Sequence, residues 1–326
     1  MAKQFIVLVL LAVAIGGGWY AVQRYEVRFI PRADQPARSA PSTALPTQVP
    51  ISSRTTIRIA ALNLAKFDET KLANPCVREI LAQIINRFDL LAVQALSGAN
   101  QALVLRLVEL ASTPQRQYDF ALCDSTQNDA TQQYAAFIFD RASIEVDRQK
   151  VQEVRVSGPP AGRFLRKPLV GLFRTLGPDP VEAFTFCLIS VDLDPDRVGE
   201  ELALLPDVYR GIRDNSWNED DVILLGTLHT NAIQLDALKD QLNGMAAILS
   251  TPTTTRGTQV ADNILFNRRA TCEYTGRSGV LDLIREFGLS MPEALEISEH
   301  LPIWAEFSVY EGGQAGHVTA AGRESR

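Results

Sequence analysis

The sequence predicts an α/β protein of two packed sheets with helices on their outer faces. Three observations carry this. About 255 residues remain once an apolar leader and a polar tail are set aside, enough for one large domain. Strand-like and helix-like segments alternate near both ends of that stretch. In its middle, strand-like runs follow one another without helices between them, which a simple doubly wound sheet would not do.

The elements read as follows. Residues 56–62 (TIRIAAL) form a strand. Asn74 and Pro75 then supply an N-cap and a first helical residue, and Val77, Ile80, Leu81, Ile84, Ile85 and Phe88 recur at helical spacing. Residues 89–94 (DLLAVQ) are a buried strand, and 99–111 a second amphipathic helix. Strand-like runs occupy 118–123, 134–139, 143–156, 168–174 and 184–193. Residues 199–214 read as a helix, 221–226 (DVILLG) as a strand, and 233–242 and 279–287 as helices. Residues 261–266 and 301–309 are the closing strands.

Four segments follow from composition. Residues 1–30 contain the uncharged run 5–22, flanked by Lys3 and Arg24. It is long enough to span a bilayer and has no clear signal-peptidase site after it. The expectation is a single-pass membrane anchor with the following domain exported, the membrane being one partner. Residues 31–54 are rich in Pro, Ser, Thr and Ala and read as a linker. Residues 55–310 form the domain, and 311–326 a disordered tail that contains His317.

The formal net charge is −6, so a basic, sequence-independent nucleic-acid binder is disfavoured. A metal-dependent hydrolase is not, because the ion supplies positive charge. The cysteines Cys76, Cys123, Cys187 and Cys272 are scattered and form no zinc-ribbon pattern. Cys187 lies in an apolar run and reads as a small buried hydrophobe.

The first strand ends on Asn63. The second strand ends Asp89-Leu-Leu-Ala-Val-Gln94-Ala95, and a Tyr-bearing strand follows Gln132. Then come Phe164-Leu-Arg166-Lys-Pro168, Asp192-Leu-Asp-Pro195, Gly226-Thr227-Leu-His229, Asp262-Asn-Ile264 and Ser298-Glu299-His300-Leu-Pro302. In order and spacing, across residues 56–309, these segments resemble the motifs of the endonuclease/exonuclease/phosphatase (deoxyribonuclease-I-like) superfamily. The resemblance implies a four-layer α/β/β/α sandwich of two mixed sheets flanked by helices. It also implies a site where strand ends converge, and cleavage of phosphoesters with Mg²⁺ or another divalent metal.

That chemistry needs hard oxygen ligands, a base for the attacking water and partners for charge on phosphorus. At the positions the resemblance assigns to these tasks, the chain carries other residues. The metal-binding Glu is Ala95, the Glu before the tyrosine is Gln132, the His of the H-L-x-P segment is Asp192, and the acid of the G-D-x-N turn is Thr227. His229 stands for the Asn of that turn, and Glu299 for an Asp beside the last His.

The remaining candidates are His300, Glu299 and Asp262 for catalysis, and Asn63, Arg166 and His229 for phosphate or substrate. No metal ligand set is assigned. His300 beside Glu299 is expected to act as a pair, and His229 and Asp192, together with His300, Asp262 and Glu299, offer a rival imidazole/carboxylate metal site. The bland reading is that Asn63 closes a strand, Asp262 caps a turn and His300–Glu299 holds the last strand. The expectation is a catalytically impaired protein with a binding or scaffolding role and no resident cofactor. The alternative is an active metal-dependent phosphodiesterase with an altered site. Nucleic acid or a phosphoester is the conceivable ligand, and the sequence names no protein partner.

Overall fold

The computed structural model describes residues 26–28, 54–98, 101–123, 133–157, 164–214, 217 and 219–315. The short strand β1 (Glu26–Arg28) precedes β2 (Thr56–Phe67). Helix α1 (Glu69–Ala73) starts at Asp68, whose carboxylate accepts from the amides of Thr70 and Lys71. Helix α2 (Pro75–Ile85) starts at Asn74, whose side chain accepts from the Cys76 amide, as the Asn-Pro pair predicts. Strand β3 (Leu90–Ser97), helix α3 (Ala102–Ala111) and strands β4 (Tyr118–Ala121) and β5 (Gln133–Asp140) complete the first half.

Four strands then run with no helix between them among the described residues: β6 (Ile144–Glu153), β7 (Arg155–Ser157), β8 (Leu169–Thr175) and β9 (Thr185–Asp192). Helices α4 (Val198–Leu202) and α5 (Leu205–Arg213) lead to β10 (Val222–Thr227). Helix α6 (Ala232–Leu242) is closed by a capping box between Asn231 and Gln234. Strands β11 (Met245–Ala246), β12 (Asp262–Phe266) and β13 (Tyr274–Val280) follow. Helices α7 (Leu283–Phe287) and α8 (Met291–Ile297) precede the last strand, β14 (Ile303–Ser308).

One six-stranded sheet has the order β13-β14-β2-β3-β5-β4, the other β11-β12-β10-β9-β8-β6. Both are mixed: β2 and β3 are parallel in the first, β9 and β10 in the second, and the remaining neighbours are antiparallel. β1 pairs with β7 in a small separate ladder.

Alternation along each strand builds the layers. In β2, Ile59 and Ala61 face the other sheet, while Ala60 and Leu62 face the helices. Helices α2, α3, α7 and α8 cover the first sheet through Val77, Ile84, Val104, Leu107, Leu283 and Ile297. Helices α5 and α6 cover the second through Leu205, Val208, Tyr209, Ile212, Leu238 and Leu242. Between the sheets runs a relay of aromatic rings. Phe137 meets Phe173 edge-on at 5.1 Å, Phe173 stacks on Phe186 at 5.7 Å, and Phe186 on Phe184 at 4.8 Å. Phe184 then reaches Phe307 at 6.0 Å and Phe307 reaches Phe266 at 5.5 Å. The four-layer sandwich expected from the sequence is the architecture observed.

Several expectations need correction. The helix expected at 279–287 is the end of strand β13 followed by the single turn of α7. The helix expected at 199–214 is two helices. Helices α1 and α8 were not anticipated. Among the described residues no helix is long and apolar enough to cross a membrane, which overturns the single-pass membrane localisation. The apolar run at 5–22, most of the linker at 31–54 and the end of the tail at 316–326 lie outside the described residues. Cys76, Cys187 and Cys272 are free thiols, and Cys187 is the buried hydrophobe expected of it.

At the site end of the second sheet, Gly226 has φ 127°, and a Cβ there would lie 2.1 Å from the Val191 carbonyl oxygen. Neither the dihedral nor the contact tolerates a side chain, since the obstacle is backbone. Gly226→Ala is expected to destabilise the fold by more than about 2 kcal/mol, read as the shift in denaturation midpoint at unchanged slope.

Candidate functional site

The C-terminal ends of β2, β3, β9 and β10 meet at one rim of the sandwich. Both β2 and β3 change register there, between Asn63 and Phe67 and between Val93 and Leu96. The irregular backbone is visible in positive φ at Ala65 (47°), Lys66 (65°) and Ala95 (60°). Bulges of this kind re-aim side chains next to functional sites. Position 95 is thus presented at the rim, but the side chain there is a methyl group.

Three of the candidate residues converge in one hydrogen-bonded system. Asn63 donates from Nδ2 to Asp192 Oδ1 at 2.9 Å and to the Thr227 hydroxyl at 3.0 Å. Thr227 in turn donates to Asp262 Oδ1 at 2.6 Å. Asp262 also accepts from the Thr253 hydroxyl at 2.8 Å, and its Oδ2 lies 2.9 Å from His300 Nδ1. The Asp262 carboxylate therefore serves three side chains from three different segments. His229 stands beside His300 with ring centroids 5.8 Å apart.

The expected His300–Glu299 pair is not formed. Glu299 is exposed, and the partner of His300 is Asp262. The chain is extended at Ser298, so successive side chains turn to opposite sides, and adjacent residues cannot face one another. Arg166, expected on phosphate, is held by protein. Its Nε lies 2.7 Å from Asp192 Oδ2, and it donates to the carbonyls of Asp192 and Leu193 at 3.0 and 2.9 Å. Gln132 lies outside the described residues.

Sequence reasoning missed Thr253 and Ser298. Thr253 is fully buried and its hydroxyl also accepts from the amides of Ala261 and Asp262. Ser298 donates to the Asn63 carbonyl and accepts from the His300 amide. The threonine-rich run 251–255 reads as a polar loop, yet it is the clamp that fixes Asp262; four threonines so close to the D-x-I segment were the available signal.

The charges follow from these contacts. Burial drives the Asp192 carboxyl up to about 6, against the opposing pull of Arg166 and His300. Burial pulls His300 down, but the hydrogen bond and charge of Asp262, with Asp192 and Glu299, outweigh it and raise its pKa. His229 is lowered by burial and by the neighbouring His300.

A divalent metal of the type the resemblance implies does not fit these residues. Ala95 offers no oxygen, Asp262 is engaged by three donors, and Asp192 is engaged by Arg166 and Asn63. The imidazole/carboxylate alternative at Asp192 and His229 meets the same obstacle. A cavity of about 10 Å³, the room of one water molecule, lies along Gln94, Ala95, Tyr134, Arg166 and Asp192.

The raised Asp192 pKa has a defined linkage sign. An acid whose folded pKa exceeds its unfolded value contributes stability that is present below the unfolded pKa and lost as pH rises through the folded one. Relative to Asp192→Asn, the wild-type chain should lose on the order of 2–3 kcal/mol between pH 3 and pH 7. Denaturant titrations of both proteins across that range check it, and a difference independent of pH counts against the assignment.

Comparison with known proteins agrees with this geometry. No family model matches the sequence. Human deoxyribonuclease-1-like 2 is 26% identical over 276 residues, covering 76% of this chain and 90% of that protein. Bovine deoxyribonuclease-1 is 22% identical over 260 residues, with 76% and 90% covered. Among solved structures, the human Nocturnin catalytic domain superposes with a TM-score of 0.51 at 14% identity, over 79% of this chain and 94% of that one. An endonuclease/exonuclease/phosphatase from Bacteroides vulgatus gives 0.52 at 14% identity, over 78% and 100%. Sequence likeness along the domain and the same two-sheet architecture coincide, and together they support a deoxyribonuclease-I-like member of the endonuclease/exonuclease/phosphatase superfamily.

Proposed function

We propose that this protein keeps the deoxyribonuclease-I-like fold as a binding or scaffolding platform and has given up metal-dependent phosphoester cleavage. The observation that carries the reading is the Asp192–Arg166 ion pair at 2.7 Å, fixed further by Asn63. It places a carboxylate where the resemblance puts a phosphate-facing histidine, and it neutralises the one arginine expected to hold phosphate. Ala95 and Thr227 support the same reading, because metal and water contacts are lost along with the phosphate contact. Loss of single members of a coupled catalytic set commonly costs orders of magnitude, and here several differ together.

One observation favours a second reading, an altered phosphodiesterase. The Asp262–His300 dyad is intact, and His229 stands next to it. A histidine oriented by a carboxylate is the arrangement of a general base.

A single assay separates the two. The full chain is incubated with Mg²⁺ or Mn²⁺ and either double-stranded DNA, RNA or bis(4-nitrophenyl) phosphate. The expected rate equals that of Asp262→Asn. Cleavage that Asp262→Asn or His300→Ala lowers at least tenfold would establish the phosphodiesterase instead.

A further inference from the structure

Six residues separate Asp221, just before β10, from Thr227 in the cleft, which puts Asp221 about 20 Å away at the opposite rim of the sandwich. Here the second sheet meets the far ends of β13 and β14. Asp221 and Glu273 are buried, Glu311 is half-buried, and an oxygen from each lies within 4.8 Å of the others. Glu219 and Asp220 border the group. None of the five makes an ion pair with a Lys, Arg or His of the described residues.

An independent feature points into the same place. The fully buried Thr271 hydroxyl lies close enough to Asp221 to influence it but makes no hydrogen bond of ordinary geometry, and Asp221 Oδ1 and Glu273 Oε2 are likewise buried without a partner. Backbone amides hold one oxygen each of Glu273 and Glu311. Glu273 Oε1 accepts from the Gly312 amide at 2.7 Å, and Glu311 Oε2 from the Thr185 amide at 3.3 Å. Glu273 and Glu311 are thus anchored by backbone, while Asp221 and Glu273 each keep one buried oxygen without a partner. Buried polar groups are normally satisfied, and each exception asks for a reason.

We propose that Asp221, Glu273 and Glu311, with the Thr271 hydroxyl, form a binding site for a hard divalent cation of the calcium class, clamping the two sheets together at the rim away from the cleft. Calcium takes oxygen ligands at about 2.3–2.6 Å, so no two oxygens around one ion stand more than about 5.2 Å apart, a limit that the oxygens of Asp221, Glu273 and Glu311 respect. The electrostatics agree. Burial and mutual repulsion drive Asp221 up to about 10, Glu219 up to about 8 and Glu311 up to about 7. A cation entering near neutral pH therefore displaces protons.

The test uses the full chain, stripped with EDTA and dialysed, then titrated with CaCl₂ at pH 7.5 by calorimetry in two buffers of different ionisation enthalpy. The expected result is one Ca²⁺ per chain with net proton release. Tm should rise by about 5–10 °C at a free calcium concentration 100 times Kd. Glu311→Gln, at a half-buried position, should weaken binding at least tenfold, whereas Asp262→Asn in the cleft should leave it unchanged. Absence of both heat and Tm shift at millimolar calcium overturns the proposal. So does calcium binding by Glu311→Gln with wild-type affinity, or its loss in Asp262→Asn.

Discussion

The contact between the inner faces of the two sheets is the constraint on which everything else rests. Each aromatic ring in the relay from Phe137 to Phe266 buries on the order of 150–250 Å² and adds edge or stacking contacts to its neighbours. Sheets packed this way stand about 10 Å apart, so side chains at the strand ends of one reach those of the other. That is why Asn63 of the first sheet touches Asp192 and Thr227 of the second, and why Gln94 donates to Ser190 across the same gap at 2.8 Å. The cleft is a product of core packing rather than of loops laid over it.

Within the cleft, charge balance decides what can bind. A hydrolase of this architecture presents net positive charge to phosphate through its ion. Here the arginine is matched by its own aspartate, so the pair offers an incoming anion little net attraction. The residual polarity is mostly spent inward. Asp262 gathers hydroxyls from Thr227 and Thr253 and the ring of His300, and so ties β10, β12 and the approach to β14 into one unit. Removing one donor leaves a buried acceptor unsatisfied, a penalty of roughly 1–3 kcal/mol, so the network resists piecemeal change.

Much of this was legible in the residues. The strands at 56–62, 89–94, 184–193 and 221–226 are apolar and β-branched, and they are central strands. Strand β13 was not legible because Tyr274–Val280 reads YTGRSGV: it is an edge strand, largely exposed, with no apolar alternation. Helices α1 and α8 span five and seven residues, too short for a periodic signal; only their caps, Asp68 and Ser290 with Glu293, announce them. In the site, Asn63, Asp192, Thr227, Asp262 and His300 were found because they close recognisable strand ends. The partner of His300 was missed because sequence adjacency suggested Glu299, whereas extended backbone turns neighbours apart. The far-rim acids were missed because Asp221, Glu273 and Glu311 lie on three separate segments that only the sheet topology unites.

The hydroxyl of Thr227 limits what else its position can carry. It donates to Asp262 across 2.6 Å, a contact that a second carboxylate cannot make while both are ionised. Restoring an acid at 227 alone would set two negative charges against each other in a buried space already holding Asp192. Position 227 is therefore held to a neutral donor by its neighbours: an acid is accommodated there only if Asp262 or Asp192 changes with it.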